Sequence, residues 1–152
     1  MDSVVHFPLA FSSSVEEEQR ISDAVLQDWF NKHTFYGAFI EEELVGCIGF
    51  LRMEAAKEAH RGMLFGVGVN AGYQRRGIGD ALMTALLRHA KNYVQQLHLD
   101  VVSSNGTAVR LYQRHGFTIY GTEPHALQWE NRFYDKYLMV LHFEKTLPKN
   151  FF

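Results

Sequence analysis

The sequence predicts one mixed α/β domain in which strands and helices alternate, with parallel crossovers around two helices. Three observations carry that expectation. A strand-like run from Gly62 to Asn70 passes through a glycine loop into an amphipathic helix over 78–95. A second, shorter helix over 106–115 sits between the strand-like runs Leu97–Val102 and Phe117–Tyr120. The chain has 152 residues, the length of one domain able to bury its own core without disulfides or a structural metal. Its composition, 47% apolar and 21% charged, excludes a disordered chain.

The elements follow in order. Ser14 can cap a helix, and Glu17 three residues later completes a capping box. Ile21, Val25, Leu26, Trp29 and Phe30 continue at helical spacing to about Lys32, with Glu16 to Glu18 as a solvated first turn. Tyr36–Ile40 and Leu44–Arg52 read as a hairpin across Glu41, Glu42 and Glu43, although that turn lacks glycine. Glu54–Ala59 reads as a loop or a short helical turn. In the run from Gly62 to Asn70, simple alternation places Met63, Phe65, Val67 and Val69 on one face. Leu64, Gly66 and Gly68 take the other face. Two glycines there mark close approach by a ligand or tight packing of another element, and both readings stand. In the helix over 78–95, Ile78, Leu82, Ala85, Leu86 and Tyr93 form the buried stripe. Asn105 caps the helix from Gly106 to His115 and Gly116 stops it. Phe117–Tyr120 begins a strand, and Phe133–Phe143 closes the chain as another.

Charge and composition exclude several classes. With 15 basic against 17 acidic side chains, the net charge of −2 lacks the basic footprint of a nucleic-acid binder. No apolar run approaches the ~18 residues of a membrane span. Met1 to His6 has no basic region leading into an apolar one, so no signal peptide is expected and a cytoplasmic location follows as the expectation. The single cysteine, Cys47, excludes an intrachain disulfide and reads as a small buried hydrophobe. The eight histidines show no zinc spacing, so no metal site is expected.

The segment from Asn70 to Asp80 joins a strand to the clearest helix, and that arrangement suits an anion. The first N–H groups of a helix have no intrahelical acceptor, and the helix dipole favours negative charge beside them. Gly77 and Gly79 carry no side chain to hold an anion off, and Arg75 and Arg76 add cationic charge. The spacing matches neither the Walker loop nor the dinucleotide fingerprint. Asp80 in the first turn opposes a deeply seated phosphate, so anion binding and a plain helix start both remain open on local chemistry.

The stretch Gln74-Arg75-Arg76-Gly77-Ile78-Gly79 resembles the acetyl-CoA pyrophosphate loop of the GNAT acetyltransferases, whose pattern is Gln/Arg, any two, Gly, any, Gly/Ala. The piece from Asn105 to Phe117 is similar to the same family's Asn-x-x-Ala-x-x-Leu-Tyr-x-x-x-Gly-Phe signature. Either motif alone is weak. Together, at the expected separation, they extend the resemblance from about Tyr36 to Phe143.

The resemblance implies a largely antiparallel central sheet flanked by helices. It also implies acetyl-CoA as cofactor, CoA as product, and direct attack by a primary amine of a small molecule or peptide in a ternary complex. Gln74, Arg75, Arg76, Gly77, Ile78, Gly79 and Asp80 would hold the pyrophosphate. Val67, Gly68 and Val69 would pair with the pantetheine as an added strand does, and Asn105 would touch the cofactor arm. Tyr112 would be the general acid, since a phenol with a pKa near ~10 stays protonated where a thiol near ~8.5 is leaving. Tyr112 also shares a helical face with Ala108, Leu111 and His115, so a core role stays open.

Some family members place a glutamate where this chain has about Met63, which cannot serve as base. Glu123, His125, Tyr137 or a water chain are the remaining candidates. Glu123, Glu130 and Asp135 would attract a cationic amine, or form a solvated acidic loop. The family's first strand and first helix do not fit before Ser14, so that strand and helix are expected to be missing or altered. A second subunit would cover the edge so exposed, which makes a homodimer the expectation. The alternative function is a module that binds CoA or acetyl-CoA without turnover.

Overall fold

The computed structural model describes residues 33–143. The helix expected over 14–32 lies outside the described residues. The elements are β1 (Thr34–Ile40), β2 (Glu43–Arg52), β3 (Arg61–Val69), α1 (Ile78–Ala90), β4 (Gln96–Val102), α2 (Gly106–Arg114), β5 (Thr118–Trp129) and β6 (Arg132–His142). Short 3-10 turns at Ala56–Glu58 and Ala71–Tyr73 link them. The strands form one six-stranded sheet in the order β1-β2-β3-β4-β6-β5. Every neighbouring pair is antiparallel except β3 and β4. Both crossovers appear as the sequence predicts: α1 links the parallel neighbours β3 and β4, and α2 links β4 to β5 with β6 inserted between them.

The two hairpins turn without glycine. Glu41 and Glu42 both take positive φ, at 49° and 73°, and Glu130 and Asn131 do the same at 49° and 61°. Two consecutive left-handed residues are the backbone of a type I′ turn, whose twist matches the flanking strands. Strand pairing on both sides supplies the energy that holds non-glycine residues there, at roughly 1–2 kcal/mol each.

One layer of helix packs on one face of the sheet. A Cβ on Gly46 of β2 would lie 3.2 Å from Ile78 Cγ2 and 3.2 Å from Leu82 Cδ1, which places α1 directly on that face. Leu82, Met83, Leu86 and Ala90 of α1 are buried against Ile48, Leu64, Leu97, Leu99 and Met139 of the sheet. From α2, Val109 and Tyr112 join the same cluster, with Phe117 just beyond the helix. Gly79 of α1 meets α2 closely, since a Cβ there would be 3.3 Å from Leu111 Cδ2.

Helix α1 is shorter than the periodicity suggests. It stops at Ala90, and Tyr93, expected in the buried stripe, is 51% exposed. The N–H groups of Asn92 and Tyr93 bond back three residues to His89 and Ala90, and Gln95 N–H then reaches His60 O at 2.8 Å to start β4. Met83 and Ala90 take the burial that the expected stripe assigned to Ala85 and Tyr93.

Strand β3 departs from simple alternation. Cys47 pairs with Gly68 and Gly49 with Phe65, so Gly66 and Val67 together stand opposite Ile48 alone. Gly66 carries φ +60°, and this β-bulge shifts the phase of the strand. Phe65 stays on the face away from α1, where its ring meets Phe35 at 5.3 Å. Val69 pairs with Gly46 and so shares its α1-facing side, and Val67 packs on the core. The expected single row of Met63, Phe65, Val67 and Val69 is therefore split in two. One inserted residue turns every later side chain over.

Candidate active site

The sheet opens between β3 and β4. Their parallel ladder covers only Arg61–Met63 against Gln96–His98, while β3 runs on to Val69 and β4 to Val102. The bulge at Gly66 bends β3 just past the last paired residue, which is where the strands part. Gly68 and Val69 therefore pair with β2 on one edge, with Val67 in the bulge before them, and none of the three forms a ladder with β4 on the other. A Cβ on Gly66 would meet nothing within 4 Å.

At the end of β3 the chain passes through the 3-10 turn into α1. Asn70 anchors the passage, its N–H to Val45 O at 2.8 Å and its amide to Leu44 O at 3.3 Å. Gln74, Arg75, Arg76 and Gly77 are exposed. Arg76 lies over the Tyr73 ring at 5.2 Å, and Tyr73 donates to Glu43 Oε2 at 2.9 Å. That hydrogen bond and the Glu43 charge raise the Tyr73 phenol above its usual range. Gln74 Nε2 reaches Val69 O at 3.5 Å. Arg75 takes φ +65° and Gly77 φ +78°.

Gly77 is the residue before α1, and open space surrounds the position its Cβ would take. The first helical bond runs from Ala81 N–H to Gly77 O at 3.0 Å. The N–H groups of Ile78, Gly79 and Asp80 thus lie before the first intrahelical acceptor. A helix start of this kind can cradle an anion, and the residues fit a pyrophosphate: N–H donors ahead of the first intrahelical bond, a positive helix end, an uncrowded Gly77 and two arginines. The two glycines differ in their work. Gly77 supplies the left-handed backbone and the clearance, whereas Gly79 makes room for Leu111.

The Asp80 side chain turns away from a role as ligand. Its Oδ1 bonds His115 Nε2 at 2.8 Å, and its Oδ2 accepts from Arg114 at 3.2 Å. The hydrogen bond from His115, then that from Arg114, hold the Asp80 carboxyl below its ordinary range. Only the Asp80 backbone N–H belongs to the cradle.

Helix α2 carries two further predicted site residues. Asn105 Oδ1 accepts from Ala108 N–H at 3.3 Å and caps the helix as expected. Tyr112 is 6% exposed, with its ring edge-on to Phe117 at 6.1 Å. Among the described residues its hydroxyl forms no hydrogen bond, and no fully buried side-chain oxygen is left without a partner, so the Tyr112 hydroxyl keeps some exposure. Burial, with a smaller push from the Asp100 charge, drives its phenol well above the usual range. Tyr112 is thus both a core ring and a protonated hydroxyl at the surface of the core.

That push also reveals Asp100, a residue the sequence reading passed over. It projects from β4 between His98 and Val102 on the side away from the buried Leu99 and Val101. Its side chain is 43% exposed and pairs with Lys136 Nζ at 3.2 Å. The available signal was a lone carboxylate inside an otherwise apolar alternating run. Of the base candidates, Tyr137 pairs with Val101 and packs on the core. His125 stacks on Phe133 at 4.8 Å and donates its N–H to Asp135 Oδ1. Glu123 stands opposite Lys136 in the β5–β6 ladder. Glu130 forms the hairpin tip with Asn131. Met63 ends the β3–β4 ladder. Cys47 lies on β2 and donates to Gly66 O at 3.2 Å. Among the described residues, no helix is long and apolar enough to cross a membrane.

A sheet whose β3–β4 ladder ends early, beside a helix start with N–H groups ahead of the first intrahelical bond, defines the kind of fold that can hold an elongated anionic ligand. The comparisons agree on which class that is. Residues 4–117 match the model of the acetyltransferase (GNAT) family, and the chain belongs to that family. The match begins well upstream of Tyr36, in the segment that lies outside the described residues. A mycothiol acetyltransferase of Streptomyces scabiei is 36% identical over 107 residues, covering 70% of this chain and 34% of the relative. The chain thus spans about a third of the length of that relative. An L-amino acid N-acetyltransferase of Escherichia coli is 28% identical over 108 residues, covering 65% of this chain and 67% of the relative. Among solved structures, a GNAT-family acetyltransferase from Streptococcus pneumoniae superposes with a TM-score of 0.74 at 24% identity, covering 82% of this chain and 78% of that one. A GNAT-family acetyltransferase from Elizabethkingia anophelis, solved with acetyl-CoA bound, gives a TM-score of 0.65 at 19% identity, covering 80% and 84%. These likenesses establish the fold.

Proposed function

We propose that this chain is an acetyl-CoA-dependent N-acetyltransferase acting on a primary amine of a small molecule. The observation that carries the reading is the parting of β3 and β4 beside the α1 start, with Tyr112 delivered to the core surface from α2. When bound, acetyl-CoA supplies an activated acetyl thioester. The chain's own residues do the rest.

The N–H groups at Ile78, Gly79 and Asp80, with Gly77, Arg75 and Arg76, bind the pyrophosphate. Gln74 shapes the loop through its contact with Val69 O. The open edge of Val67, Gly68 and Val69 offers backbone donors and acceptors to an extended amide chain, in the manner of strand addition. A backbone N–H on that edge polarises the acyl oxygen. Asn105 holds α2 in place at its first turn.

Proton traffic then has two stations. Tyr112 Oη holds a proton throughout the neutral range because burial disfavours the phenolate. It gives that proton to the departing sulfur. The carboxylate of Asp100 attracts the cationic amine and accepts the proton the amine must lose, directly or through one water. The names of the relatives, a mycothiol acetyltransferase and an L-amino acid N-acetyltransferase, support a small acceptor.

The test is calorimetric titration with acetyl-CoA and with CoA, repeated on Gly77→Glu. The unchanged protein is expected to bind with a Kd on the order of micromolar. Gly77→Glu sets a carboxylate and a strained backbone at the cradle, and should remove detectable binding. Release of free thiol with amino acids and amino sugars as acceptors then reads turnover. Absence of binding by the unchanged protein overturns the proposal, and binding without turnover on any amine, peptides included, leaves the module that only binds CoA.

A further inference from the structure

The cradle contains its own obstacle. Asp80 occupies the first turn of α1, where an unpaired carboxylate would repel the anion that the preceding N–H groups attract. The structure meets that carboxylate with two groups from the other end of the fold. Arg114 is the last residue of α2, and His115 follows it. Oδ1 of Asp80 lies 2.8 Å from His115 Nε2, and Arg114 Nη2 lies 3.3 Å and 3.2 Å from the two carboxylate oxygens. His115 is partly buried and Arg114 is exposed. Beside them, Leu111 packs closely on Gly79, where an added Cβ would lie 3.3 Å from Leu111 Cδ2.

We infer that Arg114 and His115 form a clamp that neutralises Asp80, opening the α1 start to the CoA pyrophosphate and locking α2, with Tyr112, to the anion loop. The inference rests on the acetyl-CoA reading given above and deepens it. The clamp acts at two places. Electrostatically, it removes a like charge from within a turn of the phosphate donors. Mechanically, it ties the helix that carries the general acid to the loop that carries the ligand's anionic part. Tyr112 lies one turn before His115 on the same face of α2. Arg114 and His115 are therefore positioning residues and touch neither cofactor nor acceptor.

The two arms separate by experiment. Arg114→Gln removes the exposed half of the clamp at a surface position, where a substitution typically costs little stability. Its affinity for CoA, read by calorimetry at low ionic strength, should fall about fivefold, the effect of one partly uncompensated charge near a surface anion. The loss should shrink as salt rises. Adding Asp80→Asn to Arg114→Gln should restore most of the lost affinity, because the repelling charge has gone with its partner. His115→Gln, which keeps a donor near Oδ1, tests the buried half, and its effect should be rescued in the same way.

A purely structural contact predicts the opposite pattern: salt-independent loss, made worse by the second substitution. That result overturns the inference, as does unchanged affinity in Arg114→Gln. If the unchanged protein itself fails to bind CoA, the acetyl-CoA reading falls and takes the clamp with it. Binding by the unchanged protein without the rescue removes the clamp alone.

Discussion

Tyr112→Phe separates the core role of this side chain from the acid role proposed for it. The ring belongs to the core: it is 6% exposed and lies edge-on to Phe117. Among the described residues the hydroxyl makes no hydrogen bond, so deleting it should cost at most about 1 kcal/mol of stability. Deleting the ring as well, in Tyr112→Ala, should cost about 3–5 kcal/mol. The Phe variant should therefore melt close to the unchanged protein and bind CoA within about threefold. Its kcat should fall on the order of 100-fold. That is the low end of general-acid catalysis, because a thiolate with a parent pKa near ~8.5 is already a fair leaving group.

The pH dependence carries an independent signature. A group that works as an acid is active below its folded pKa. Burial raises that value for Tyr112, so the alkaline limb of kcat should not fall through ordinary phenol titration near ~10. Stability moves with the same sign. The contribution of the neutral buried phenol is fully present below the unfolded value near ~10 and is lost as pH rises beyond it. Tyr112→Phe should abolish that alkaline loss. Thiol release, calorimetry and thermal melting on one preparation settle the matter. A Phe variant with kcat within threefold of the unchanged protein would refute the acid role and leave Tyr112 as a core residue.

Two stability predictions follow from geometry and linkage. Gly66→Ala should cost about 1–2 kcal/mol, from its φ of +60° alone, since open space surrounds its Cβ. Gly62→Ala should cost more in urea denaturation, because its Cβ would sit 2.5 Å from Phe50 Cε2 and 3.0 Å from Leu51 O. Asp80 is held below its ordinary range by His115 and Arg114, so its contribution is present above the unfolded value near ~3.9 and lost as pH falls through the lower folded one. Acid titration of stability should lose that component in Asp80→Asn, and a difference that grows above pH 5 instead would contradict the assignment.

Local patterns determined much of this protein. The order of elements, both crossovers, the cap at Asn105 and the glycine loop before α1 were all legible, because each depends on residues a few positions apart. The pairing of the loop motif with the Asn105–Phe117 motif pointed to the family that the comparison with residues 4–117 establishes. Other features needed the tertiary structure. A type I′ turn of two glutamates defies local preference and is held by the ladders it joins. The bulge at Gly66 reverses the faces of Val67 and Val69, and alternation along one strand cannot show a residue inserted relative to its neighbour. Gly79 looked like clearance for an anion but is clearance for Leu111. Asp80 looked like a hindrance to an anion until Arg114 and His115, 34 and 35 positions away, came to meet it. Asp100 acquired meaning only through its charge acting on Tyr112 and its place on the strand whose ladder with β3 ends early. Sequence neighbours set backbone preference and hydrophobic period. Which charges face one another, and where a sheet opens, is decided by contacts between segments that only folding brings together.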